Sequence, residues 1–314
     1  MIPGGDAIDE PLLRPVLTVG NFDGIHAGHQ AILRTVVERA RTLEGQAVVY
    51  TFEPHPRKVL QPDRAPRLLV TPDQKLELLE QAGVDAVVVE PFSLEFAKTS
   101  AERFVRERLH QRLQPLEVYV GYDFHFGRDR EGSMRMLTEL GPRLGFAVTI
   151  IPEVTMDEGD VNSTRIREVL GEGRVEHANA MLGRPYAVRG RVVKGQQRGR
   201  SLDFPTANLD AENEVLPAVG VYAGFLRLLD EREDLGAAGW RAVVNVGRRP
   251  TFEDDGAVVV EAHCLDFDND LYGSRVEVSF RHHLRAEQRF EGVDALRAQI
   301  RVDVERGRKL LESF

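Results

Sequence analysis

Gly20-Asn21-Phe22-Asp23-Gly24-Ile25-His26-Ala27-Gly28-His29 is the stretch whose reading decides the fold. It lies between a β-branched run at residues 16–20 and an apolar-periodic segment at 30–43. A strand that feeds a glycine-bearing loop and then a helix opens an α/β sheet. Gly24 and Gly28 let the backbone approach a ligand without a Cβ clash. The helix start offers N–H groups to an anion. His26 and His29 are three apart, so on a first helical turn they face the same way. Two imidazoles there can donate hydrogen bonds to phosphate oxygens as charge develops. The competing reading is a strand–loop–helix turn with two solvated histidines. A metal site on this pair lacks a third ligand of suitable spacing.

Working outward, strand and helix patterns alternate through the first half. Residues 47–52 form the next strand. Thr71-Pro72-Asp73-Gln74 carries a capping hydroxyl, Pro at the first helical position and Gln at the third. That helix is predicted to stop at Gly83. Residues 84–89 read as a buried strand and 100–112 as a helix. Residues 116–120, 134–144 and 146–151 continue the alternation. The pattern predicts a doubly wound parallel sheet, with ligands at the carboxyl ends of its strands.

After about residue 182 the rhythm changes. Short strand candidates recur at 187–193, 219–229, 241–246, 258–265 and 275–280, with Gly- and Pro-bearing turns between them. This predicts a small antiparallel β-barrel. An amphipathic helix at 296–311 closes the chain, with Ile300, Val304 and Leu311 among its apolar positions. His282 and His283 fall in a segment placed only as surface or flap. The expected division is an α/β domain at 1–183 and a barrel domain at 184–314. The 314 residues fit two domains at about 150 residues each.

Composition narrows the classes. Apolar residues at 42% supply enough surface for real cores, which excludes a mainly disordered chain. A net charge of −9 argues against a general nucleic-acid partner, which calls for a basic excess. Any anionic substrate must then meet locally concentrated cations. Cys264 is the only cysteine, so no intrachain disulfide can form, and a reducing cytoplasmic compartment is expected. The start MIPGGDAIDEPLL does not read as a secretion signal. No apolar run approaches the roughly 18 residues needed to span a bilayer, so no membrane partner is expected. A homo-oligomer stays open.

Three further segments follow strands of the first half. Thr51-Phe52-Glu53-Pro54-His55-Pro56 ends the second strand, and its prolines are expected to hold His55 extended and stiff. A rigid turn explains it equally well. Gly121-Tyr122-Asp123-Phe124-His125-Phe126-Gly127-Arg128 brings aromatics that can pack a flat ring or fill core. Asn162-Ser163-Thr164-Arg165-Ile166-Arg167 reads as an N-cap followed by arginines on the first helical turn. Cations are disfavoured at a helix N-terminus, so two of them suggest an anionic partner.

FDGIHAGH, TFEPHP, the GYDFHFG block and STRIR resemble the FMN adenylyltransferase module of bacterial FAD synthetases. These are cytidylyltransferase-like nucleotidyltransferases, in which HxGH binds ATP phosphates. The STR-I-R segment stands where relatives have KMSKS. The resemblance implies in-line attack of the FMN phosphate on the α-phosphate of ATP, releasing pyrophosphate. His26, His29 and Arg165 would steady the transferring phosphates. Gly20, Phe22, Asp23, Gly24, Gly28, Ser163, Thr164 and Arg167 would bind nucleotide. His55, Asp123, Phe124 and Phe126 would lie near the flavin.

The second half carries Gly190-Arg191-Val192-Val193-Lys194-Gly195-Gln196-Gln197-Arg198-Gly199-Arg200, then Phe204-Pro205-Thr206-Ala207-Asn208. A Gly- and Arg-rich loop can cradle phosphates, although its spacing is not that of a Walker loop. Thr206 and Asn208 offer hard oxygen donors suited to Mg²⁺. On the strand at 258–265, Glu261 and His263 face away from Val258, Val260, Ala262 and Cys264. A lone strand Glu usually faces solvent, whereas a general base must face the ligand cavity, and the pattern leaves both open for Glu261.

GRVVKGQQRGR, FPTANL, GVYA, NVGRRPTF, the E-x-H strand and DLYG are similar to a riboflavin kinase barrel. That resemblance implies Thr206 and Asn208 at Mg²⁺ and ATP. It places Gly195, Gly199 and Arg200 at the nucleotide and Asn245 at the flavin. Glu261 would take the proton of the riboflavin 5′-hydroxyl. Asp203 stands where the family usually has Gly before FPTAN. The motifs run in the order of the bifunctional riboflavin kinase/FMN adenylyltransferase family. The implied substrates and products are ATP, riboflavin, FMN and FAD, with Mg²⁺. The alternatives are an adenylyltransferase with an impaired kinase domain and a non-catalytic flavin-binding module.

Overall fold

The computed structural model describes residues 1–7, 10–156, 159–195, 204–230, 239–248 and 258–312. Two compact units emerge: 1–67 with 72–162, and 68–71 with 163–314. Packing therefore divides the chain after Asn162, whereas the sequence pattern divides it after Gly183. Helices Ser163–Gly171 and Val175–Leu182 fall between those points and belong with the second unit. Asn179 explains why. Its side chain donates to Phe280 O at 2.8 Å and accepts from Tyr186 N at 2.7 Å, tying the second helix to two neighbouring strands.

The first unit is built on five parallel strands: β1 (Val16–Val19), β2 (Ala47–Glu53), β3 (Ala86–Pro91), β4 (Glu117–Gly121) and β5 (Ala147–Ile151). Their spatial order is β3-β2-β1-β4-β5. From β1 the chain adds β2 and β3 on one side and β4 and β5 on the other, so the crevice above the carboxyl ends of β1 and β4 is the topological switch point. Alternation splits the apolar residues between two layers. Leu17, Val19, Val48, Tyr50, Val118 and Val120 face a core completed by Phe104, Leu109 and Leu137. Val16, Ala47 and Tyr119 face Ile32, Val36 and Ala40 of the opposite layer. That layer holds α1 (Ala27–Thr42), which Arg39 pins to β4 through a two-pronged bond to Glu117, at 2.6 and 3.1 Å.

One helix differs from its pattern. The segment predicted at 100–112 begins as a short α turn, Ala101–Arg103, and continues as a π-helix, Phe104–Leu113. Its buried residues are Phe104, Val105, Leu109 and Leu113. Spacings of five and four bring Phe104, Leu109 and Leu113 onto one line only when the turn is wider than an α turn.

The second unit is a closed six-stranded barrel. Its strands are β6 (Tyr186–Val193), β7 (Ala207–Ala211), β8 (Gly220–Leu228), β9 (Gly239–Arg248), β10 (Val258–Cys264) and β11 (Arg275–Ala286). They close in the order β6-β7-β10-β9-β8-β11. The sequence pattern misses β7 and ends β11 too early. The extra length of β11 carries His282 and His283, which are therefore strand residues paired with Ala223 and Tyr222. Val188, Val244, Val260, Ala262, Val276 and Val278 are buried to the last percent. Cys264 lies with them, and burial pushes its thiol up to about 12, which keeps it protonated and inert. On the outside, helix Val293–Leu310 and the Leu311 that follows it cover Val221, Ala223 and Val243. No helix among the described residues is long and apolar enough to cross a membrane.

Glu277 on β11 bridges two neighbouring strands, meeting Arg189 of β6 at 2.8 Å and Arg227 of β8 at 2.9 Å. Burial works against its charge, yet the hydrogen bonds from Arg189 and Arg227 hold the carboxyl below its ordinary value. A depressed carboxyl stabilises the fold above the unfolded value and loses that contribution as pH falls through the folded one. Glu277→Gln is expected to destabilise the barrel unit by about 2–3 kcal/mol at neutral pH, because Arg189 is buried. Urea unfolding across pH checks this: the gap between wild type and variant should close on acidification below about pH 4.

Candidate functional sites

The loop that leaves β1 is held in an unusual backbone. Phe22 and Ile25 have φ of 50° and 43°, with Gly24 at 82° between them. A bulky and a β-branched residue in the left-handed region mark local strain. Their side chains explain how the strain is held. Phe22 and Ile25 are buried against Leu33, Val49, Leu79 and Val87. The loop is also stitched to β2, through Gly20 N to Tyr50 O at 3.1 Å and Thr51 Oγ1 to Asn21 O at 3.4 Å. Asp23 is thereby carried into the loop interior, 5% exposed.

His26 is the N-cap of α1, and its Nδ1 accepts from His29 N at 3.4 Å. That contact consumes the Nδ1 lone pair, so a neutral ring carries its proton on Nε2. Nε2–H is then a donor that His26 can present without giving up the cap. The His26 and His29 rings stack at 3.7 Å between centroids, and Phe22 lies 5.1 Å from His29. Protonating both imidazoles would set two cations face to face, so the pair acts best as neutral donors. Gly28 leaves room for this stack: a Cβ there would press on the His26 ring at 3.2 Å.

The other first-unit motifs fare differently. His55 is not simply extended. It caps a short helix, Pro56–Leu60, accepting from Arg57 N at 3.2 Å. The second proline occupies the first helical position, where its missing N–H costs nothing. Phe126 is buried in the core against Phe104, and Phe124 stacks on it at 5.3 Å. Core packing thus accounts for Phe126. Asp123 is exposed beside them at the end of β4, where its Oδ1 comes close to Gly121. Ser163, Thr164, Arg165 and Arg167 open a nine-residue helix of the second unit. No group of three or more His, Cys, Asp or Glu able to hold a metal occurs among the described residues.

In the barrel, register decides which residues meet. Asn208 pairs with Glu261, and Glu261 pairs with Asn245 on its other side. Residues directly opposite in an antiparallel pair share a face. Asn208, Glu261 and Asn245 therefore form one row across β7, β10 and β9. Val260 and Ala262 point inward and are buried, so the row faces out of the barrel. Gly195, just past β6, lies so close to Asn208 that any Cβ would collide with its carboxamide. Asn208 Nδ2 donates to Thr206 O at 3.4 Å.

His263 is a residue whose work the motif reading passed over. Its Nδ1–H donates to Pro205 O at 2.8 Å, and its ring meets Phe204 edge-on at 5.4 Å. It clamps the segment that presents Thr206. The two-residue spacing from Glu261 was the available signal, since both must share a face. Gly199, Arg200 and Asp203 lie outside the described residues.

Comparison with known proteins agrees with both halves. The family model described as FAD synthetase matches residues 10–165, and the one described as riboflavin kinase matches 182–311. A bifunctional riboflavin kinase/FMN adenylyltransferase of Pseudomonas fluorescens is 39% identical over 94% of this chain and 92% of its own length. The Haemophilus influenzae protein of the same name is 37% identical over 95% and 94%. A crystal structure of a protein named as a macrolide-efflux protein from Streptococcus pneumoniae superposes with a TM-score of 0.87 at 31% identity. It covers 98% of this chain and 97% of that one.

The cap and the chemistry of His26 can be separated. His26→Ala removes the N-cap acceptor and is expected to cost about 1 kcal/mol of first-unit stability. His26→Asn keeps an acceptor at the same place and should restore most of that loss. Urea unfolding of the two variants checks both values.

Proposed function

We propose how two sites divide the work, from the premise that this chain belongs to the bifunctional riboflavin kinase/FMN adenylyltransferase family. It phosphorylates riboflavin with ATP to give FMN and ADP. It then adenylylates FMN with a second ATP, giving FAD and pyrophosphate. In our reading residues 184–314 carry the first step and residues 1–183 the second.

The observation that carries the kinase assignment is the outward row Asn208–Glu261–Asn245. A carboxylate flanked by two carboxamides can hold a hydroxyl and take its proton while its neighbours orient the substrate. We assign Glu261 as general base for the riboflavin 5′-hydroxyl and Asn245 to the flavin. The γ-phosphorus–oxygen bond to the new nucleophile forms as the bond to ADP breaks. Thr206 and Asn208 are hard oxygen donors two residues apart, a donor set that suits Mg²⁺. Bound there, Mg²⁺ would neutralise the phosphate oxygens of ATP. Gly195, with Gly199 and Arg200, is assigned to the nucleotide.

In the first unit the pinned loop stands at the switch point, where ligands of open α/β sheets bind. We assign Gly20, Phe22, Asp23, Gly24 and Gly28 to the nucleotide. His26 and His29 would donate to phosphate oxygens as charge develops in the transferring group. Ser163, Thr164, Arg165 and Arg167 are assigned to the nucleotide phosphates by the likeness of their motif to the family's. His55, Asp123 and Phe124 are assigned to the flavin side. The protein breaks no bond of its own here; it positions two phosphates and stabilises charge. We place this work in the cytoplasm, with small molecules as its partners.

Product analysis tests the division. Purified protein is given ATP and Mg²⁺ with riboflavin or with FMN, and flavins are separated by chromatography. Glu261→Gln should lower FMN formation by about 10²–10⁴-fold while FMN-to-FAD conversion continues. His29→Ala should do the reverse. Loss of both activities in either folded variant would overturn separate sites.

A further inference from the structure

Lys75 belongs to none of the motifs. It lies on the helix Pro72–Gln81, four residues before Leu79. Side chains four apart share a helix face, and Leu79 is buried against Phe22 and Ile25. Lys75 is therefore aimed at the loop that leaves β1. Two carboxylates approach from the sheet. Asp23 sits inside the loop, and Glu53 is the last residue of β2. β1 and β2 run side by side in parallel, so both acids stand at the carboxyl ends of adjacent strands. Burial pushes the Lys75 ammonium below its ordinary range, and the charges of Glu53 and Asp23 oppose that shift.

The charge balance matters because of what the loop is assigned to hold. Without Lys75, two partly desolvated anions would stand where a polyphosphate must enter. We propose that Lys75 is a positioning residue for adenylyl transfer, neutralising Asp23 and Glu53 so that the loop accepts the ATP phosphates. This rests on the reading of the first unit as the FMN adenylyltransferase site. It assigns Lys75 no contact with substrate and no bond-making role.

The test uses the full chain. FAD formation from FMN is measured over a range of ATP concentrations for wild type, Lys75→Met, Lys75→Arg and the double variant Lys75→Met with Glu53→Gln. Riboflavin phosphorylation in the same preparations reports whether the barrel is intact. Lys75→Met is expected to raise the KM for ATP by about tenfold with a smaller change in kcat. Lys75→Arg should stay within about threefold of wild type, since the charge is kept. Adding Glu53→Gln should recover most of the lost kcat/KM, because it removes the uncompensated anion. An unchanged KM in Lys75→Met, or a further loss in the double variant, overturns the proposal. If Lys75→Met does not fold, Glu53→Gln alone decides: it should lower the KM for ATP, and an unchanged or raised KM overturns the proposal. Wild-type protein that makes no FAD overturns the parent reading, and the proposal falls with it.

Discussion

Burial of Phe22 and Ile25 is the contact on which the first site depends. Each is held in a left-handed backbone that costs about 1–2 kcal/mol for a residue of its kind. Burying each side chain contributes about 1.5–3 kcal/mol. The terms nearly cancel, so the loop exists only because Leu33, Leu79 and Val87 are already in place around it. Once seated, the loop delivers Asp23 to its interior and starts α1 at His26. The cap then orients the imidazole, and the imidazole stacks on His29. A chain of local consequences follows from two apolar anchors.

The barrel reaches its site by different means. Strand alternation does the sorting. Inward residues such as Val260 and Ala262 make the core, and the intervening Glu261 and His263 are left on the outside. The outer surface is then shared. The carboxyl-terminal helix covers the apolar part, Val221, Ala223 and Val243. Asn245, next to Val221 across the β8–β9 pair, begins the polar row. One strand pair thus supports both the closing helix and the candidate catalytic face.

Charge is distributed on the same local scale. The chain carries −9 overall, and carboxylates reach the mouth of the first unit as well. Tyr122, after β4, has its phenol pushed up by a hydrogen bond to Glu153, and Asp123 and Asp160 add to the shift. Asp23 and Glu53 stand at neighbouring strand ends. An anionic substrate there depends on balance between fixed charges, which is why a half-buried lysine gains significance that composition conceals.

Several features were legible from residues alone because their cause is local. Period-two and period-3.6 patterns placed the parallel sheet, most barrel strands and the closing helix. Glycines and histidines at fixed spacing marked the first loop, and E-x-H spacing put Glu261 and His263 on one face. The sequence also supplied the order of the motifs, and with it the family. What it withheld depends on distant partners. Ala207–Ala211 has little strand propensity and becomes a strand only through pairing with β6 and β10. Phe104–Leu113 becomes a π-helix because the core wants its apolar residues on one line. His282 and His283 enter the barrel through pairing with β8, and Asn179 binds its helix to the barrel. Lys75 acquires a role only when Leu79 docks its helix on the loop. Side-chain pattern is written along the chain, whereas register, burial and charge balance are set by neighbours that only the folded structure brings together.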